Sequence, residues 1–157
     1  MASRKYAVSS TAITNTANAT MQSVDATAST RVSLYELLLG CTANSTMTDD
    51  NATYRLTRSS GPAGGGNQIT PMPLDGTTPA SAFGTAPGAR NGTYTTKPVA
   101  VTPGLTFGLN RRATFRWIAA PGSEIMSTAS TSSGVIVDTV AVSVAYGMDM
   151  TFLIEEA

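Results

Sequence analysis

Residue patterning predicts an all-β protein: an antiparallel β-sandwich of jelly-roll-like order, with an extended N-terminal arm and a long Gly/Pro-rich loop. Short runs rich in Val, Leu, Ile, Tyr and Phe recur between turn-forming residues, at the roughly 8 to 12 residue spacing of a sandwich or barrel. No stretch sustains i, i+3, i+4, i+7 apolar spacing with caps at its ends, so helices are few. Charged residues are only 13%, and Thr, Ser and Ala dominate, so the surface consists of small neutral polar groups. The 157 residues fit one domain spanning the whole chain, which can bury roughly two thirds of its unfolded surface without staples.

Residues 1–30 are low-complexity Thr/Ala/Ser with few large apolar groups. Tyr6, Val8 and Ile13 stand among good strand formers, so this stretch reads as an extended arm or edge strand ordered by a neighbour. Residues 31–39 (RVSLYELLL) are too short for periodicity to separate a helix from a buried strand, and Val and Tyr favour the strand. Asp49, Asp50 and Asn51 signal a turn; behind it residues 53–57 alternate, with Tyr54 and Leu56 on one face.

Residues 59–93 hold more than half of the chain's glycines and prolines and read mostly as loop. Only residues 67–74 (NQITPMPL) have the apolar character of a short strand, and two prolines confine it to a sheet edge. So long a connection inside a compact domain points to a contact surface or lid. Beyond it, residues 94–101, 105–109, 112–119, 134–144 and 148–154 read as strands. The last two carry the clearest period-2 signal: Val140, Val142, Val144 and Tyr146 share a face, continued by Met148, Met150, Phe152 and Ile154.

Several chemistries are excluded. A net charge of zero leaves no basic field for nucleic acid or anionic membranes. The lack of histidine removes the commonest general base and most transition-metal ligand sets, and Cys41 stands alone as a small buried apolar residue. The acidic pairs Asp49-Asp50 and Glu155-Glu156 point to opposite faces if they lie on strands, so neither aims two carboxyls at one atom. Residues 61–66 (GPAGGG) lack the Gly-Lys-Ser/Thr of a phosphate loop. The chain therefore reads as neither an enzyme nor a holder of cofactor, metal or small-molecule substrate. Residues 1–10 lack the apolar core of a signal peptide, and no apolar run approaches the ~20 residues of a membrane span. One cationic cluster stands out, Arg111, Arg112 and Arg116. Strand alternation puts Phe115 and Trp117 toward the core, leaving Arg112 and Arg116 outward as a solvated face or a protein contact.

The segment 110–122 (NRRATFRWIAAPG), followed by a hydrophobic strand pair and the acidic end FLIEE, resembles the head decoration, or capsid cement, proteins of tailed bacteriophages. The opening Met-Ala-Ser-x-Lys-Tyr, the strand at 31–38, Asp-Asn-Ala-x-Tyr-x-Leu-x-Arg at 50–58 and Thr-Pro-x-Pro-Leu-Asp at 70–75 extend the likeness, in order, over most of the chain. The resemblance implies a β-sandwich homotrimer on the outer surface of an icosahedral head, made in the host cytoplasm. Seated over threefold and quasi-threefold axes, it would clamp neighbouring major capsid subunits after expansion, with no catalysis and no cofactor. Protein contacts are then expected from Arg4, Lys5 and Tyr6 in the arm, from the 59–93 loop, and from Arg111, Arg112 and Arg116. A carbohydrate- or receptor-binding jelly roll of a phage fibre or tail is the alternative. The single Trp and 6% aromatic content weigh against an exposed stacking platform for sugars.

Overall fold

A computed structural model describes residues 4–42, 49–85, 88–101, 104–110 and 112–157. Among these residues the strands are β1 (Arg4–Asn15), β2 (Thr20–Asp25), β3 (Val32–Cys41), β4 (Asn51–Ser60), β5 (Gly64–Gln68) and β6 (Met72–Pro73). There follow a single 3-10 turn (Ala82–Gly84), β7 (Ala89–Thr96), β8 (Val99–Ala100), β9 (Leu105–Asn110), β10 (Phe115–Ile118), β11 (Ile125–Met126), β12 (Ser133–Val142) and β13 (Tyr146–Glu156).

They form two antiparallel sheets. The first has the order β10-β3-β13-β1-β6, with β11 also on β3; the second has β5-β7-β2-β12-β4-β8, with β9 also on β4. Between the sheets lies one core, in which Tyr6, Val8, Leu34, Leu37, Phe152 and Ile154 of the first sheet meet Val24, Tyr54, Leu56, Val135 and Val137 of the second. Alternation explains the selection, because successive strand residues point to opposite faces. In β13 the sequence Tyr146, Met148, Met150, Phe152, Ile154 is buried at every second position, as its spacing predicts.

The N-terminal stretch is extended as expected, but it is not an arm. β1 lies between β13 and β6, and all six residues of β2 are buried between β7 and β12. Small side chains obscured this: Ser10 and Gln22 sit inside the sandwich, where the Ser10 hydroxyl donates to Gln22 Oε1 and Gln22 Nε2 donates to the Val8 carbonyl at 2.9 Å. Polar residues are admissible in a core when their groups are paired. The 59–93 region is likewise more than loop. It contributes β5, β6 and most of β7, edging both sheets, and it is tied down by Tyr6 Oη donating to the Pro79 carbonyl at 2.9 Å. Glu156 Oε1 accepts from Ser81 Oγ and from the Ala82 N–H, each at 2.7 Å, and Phe83 is wholly buried.

Two further expectations change. The shared face assigned to Val140, Val142, Val144 and Tyr146 breaks, because a bulge near Thr139–Ala141 shifts the parity: Val135 and Val137 enter the core and Val144 is exposed. Cys41 is half-buried, its thiol directed at the Gly147 carbonyl at 3.5 Å.

The outer faces of the two sheets differ. On the second, Ser23, Asp25, Ile136 and Asp138 point away from the core yet are buried. The segment before β5 lies over them, with the Ala63 N–H donating to Asp25 Oδ2 at 2.9 Å, and Tyr94 Oη donates to Ser23 Oγ at 3.1 Å. Asp138 is compensated by Thr20 Oγ1 and Arg55 Nη2, both at 2.8 Å. Among the described residues, no comparable segment lies over the outer face of the first sheet, where Leu38, Met72 and Ile118 are exposed.

Candidate functional site

The uncovered face of the first sheet is the candidate site, and register alone assembles it. Leu37 and Leu39 of β3 turn to the core, so Glu36 and Leu38 turn outward. β10 sets Ile118 opposite Glu36 and Arg116 opposite Leu38. From the other side β13 sets Leu153 opposite Glu36 and Thr151 opposite Leu38; β1 then sets Ala7 and Ser9 against those, and β6 sets Met72 against Ala7. One row therefore reads Ile118, Glu36, Leu153, Ala7, Met72, and the next reads Arg116, Leu38, Thr151, Ser9. Five strands at the usual spacing make a surface roughly 19 Å wide.

Apolar groups on it are open to water: Ile118 is 54% exposed, Met72 61% and Leu38 38%. Its charges are answered within the face. Arg116 Nε donates to Glu36 Oε1 at 2.6 Å, and this bond holds the guanidinium pKa above its ordinary value. Lys5 Nζ stands 5.1 Å from the centre of the Tyr35 ring, in the range of a cation–π contact. The Ser9 and Thr151 hydroxyls bond to each other at 3.0 Å. Such a face offers apolar area and paired charge, which suits a protein surface better than an ionic or catalytic partner.

Of the residues expected from sequence, Lys5 and Arg116 lie on this face. Arg4, at the start of β1, is half-exposed with Nη1 3.9 Å from Glu156 Oε2. Tyr6 is turned inward: its parity sends the ring into the core, and its hydroxyl donates to the Pro79 carbonyl. Arg112 lies in the connection between β9 and β10, its Nε 3.4 Å from Asp49 Oδ1 with both side chains well exposed, so it does not join the face. Arg111 lies outside the described residues. Sequence reasoning missed Leu38, Leu153, Ile118 and Met72. For Leu38 a signal existed: in a strand, the middle residue of Leu37-Leu38-Leu39 must face away from its neighbours. No family model, no curated protein and no solved structure matches the chain.

Proposed function

We propose that this chain is a structural virion protein. It binds the outer surface of an icosahedral phage head as a homotrimer and cements neighbouring major capsid subunits through the uncovered face of the first sheet. The observation that carries this reading is that face, on which Ile118, Met72 and Leu38 are exposed and Arg116 is paired with Glu36. The ordered sequence motifs support it. So does the strand order, since β1-β13-β3-β10 in one sheet and β2-β12-β4-β9 in the other is compatible with the interleaving of a jelly roll. A closed trimer presents three copies of the face at once, so modest contacts add through effective concentration. In this reading the protein acts by adhesion and turns over no substrate.

Binding of the purified chain to expanded, undecorated heads tests it. We expect Ile118→Asp and Met72→Asp to weaken binding about tenfold or more while the melting temperature stays unchanged, since both side chains are exposed. Undiminished binding by both variants would remove the face from the proposal, and a parent protein that ignores heads would end it.

A further inference from the structure

Away from that face, a cleft of about 500 Å³ opens where the two sheets part at β1, β2 and β7. Its size falls within the roughly 300 to 1,000 Å³ of small-ligand sites. Three irregularities build it. β2 pairs with β7 only as far as Gln22 opposite Asn91, after which β7 runs on to Thr96 against β5. β1 bulges between Ser10 and Ile13, its Ala12 N–H held by Asp149 Oδ1 at 2.9 Å. The turn into β2 presents the Asn18 carbonyl, which accepts from Lys97 Nζ at 2.7 Å.

Among the described residues, only two non-glycine residues have positive φ, Ala12 at 51° and Asn18 at 57°, and both line this cleft. Alanine gains nothing locally from that conformation, so the fold enforces it there; strain of this kind gathers at ligand sites. The lining is chemically uniform. Thr11, Thr14, Thr16 and Thr93 bring exposed hydroxyls, Asn67 an exposed amide, and Lys97 an ammonium with donors to spare beyond Asn18. No carboxylate lines it, so a cation finds no counter-charge, and a single ammonium is a poor cradle for polyphosphate. Asn91, also in the wall, has a buried Oδ1 without a hydrogen-bond partner. Turning that amide would bring an unanswered acceptor to a bound donor.

We propose that this cleft binds a saccharide. Sugar hydroxyls donate and accept at once, matching threonine hydroxyls and asparagine amides, while Ile13 and Ala19 supply apolar wall. Recognition is by hydroxyl and amide contacts, so the scarcity of exposed aromatics does not oppose it. The site is additional to head attachment and independent of it.

The test is a glycan array carrying neutral and uronic- or sialic-acid-terminated glycans, followed by NMR titration of the parent with the retained mono- or disaccharide. We expect retention with Kd of about 1 mM or tighter, shifts at Thr14, Thr93 and Lys97, and a loss of about tenfold or more in Thr93→Tyr, which fills the cleft from an exposed position. Lys97→Met, which keeps the stem and removes the donor, should lose affinity as well and serves if Thr93→Tyr does not fold. An array without retention, or retention unchanged in a folded variant, overturns the proposal. Both variants should still attach to heads, so the two readings fail separately.

Discussion

Asp25 is wholly buried, its Oδ2 accepts one hydrogen bond from Ala63, and its Oδ1 has no partner. Burial pushes its pKa up from 3.8 to about 6, against the opposing pull of the Ala63 N–H and the Arg90 guanidinium. A raised value means that the folded chain holds the proton more tightly than the unfolded chain. The contribution of Asp25 to stability is therefore fullest below pH 3.8 and is lost as pH rises through about 6, a loss of about 3 kcal/mol over the interval. We expect Asp25→Asn to be about 1 to 3 kcal/mol more stable than the parent near neutral pH, with the difference closing by about pH 4; urea unfolding at both conditions checks it. Gly88 is constrained differently. Its φ is 41°, and a Cβ there would sit 2.2 Å from the Thr85 carbonyl oxygen and 2.3 Å from that of Phe83. Both obstacles are backbone, so Gly88→Ala should cost about 2 to 4 kcal/mol, seen as a lowered urea midpoint. Neither residue was legible in the sequence: Asp25 stands in a Thr/Ala run and Gly88 in a Gly/Pro-rich one, and only their neighbours in space give them roles.

Strands with strong alternation, such as β4 and β13, were legible because burial on one side imposes period 2 on large side chains. β1 and β2 were not, since Thr, Ser and Ala satisfy an interior position without announcing it. Their mistaken reading as an arm has a measurable counterpart. Deletion of residues 4–15 would strip β13 of its pairing from Arg4 opposite Glu156 to Asn15 opposite Tyr146 and expose the contacts of Tyr6 and Val8. We expect that truncation to lose cooperative thermal unfolding and its β-type circular dichroism altogether, where removal of a peripheral arm would leave both intact.

Across the protein surface charge is sparse, which the composition foretold, while the location of the exposed apolar side chains depends on register between β10, β3, β13, β1 and β6 that no single segment contains. Lys5 was expected as a contact residue of the arm and Arg116 of a cationic cluster, yet each meets a partner within its own sheet, Tyr35 and Glu36. Attachment to heads through this face should accordingly change less than about threefold between low and high salt, because few counterions are released and screening acts on pairs that already exist. Binding measured across a salt series checks this; a steep decline would assign attachment to free charges instead.

The sheet order also governs how the polypeptide comes into being. β12 occupies the middle of one sheet and β13 the middle of the other, each flanked by strands made much earlier. A ribosome delivering residues one at a time thus releases β1 to β4 before the two pieces that join them exist, and a nascent chain waits with open strand edges until β12 and β13 emerge. Ribosome stalling or premature termination before β13 would leave no smaller folded remnant, only adhesive fragments for the cell's quality control to clear.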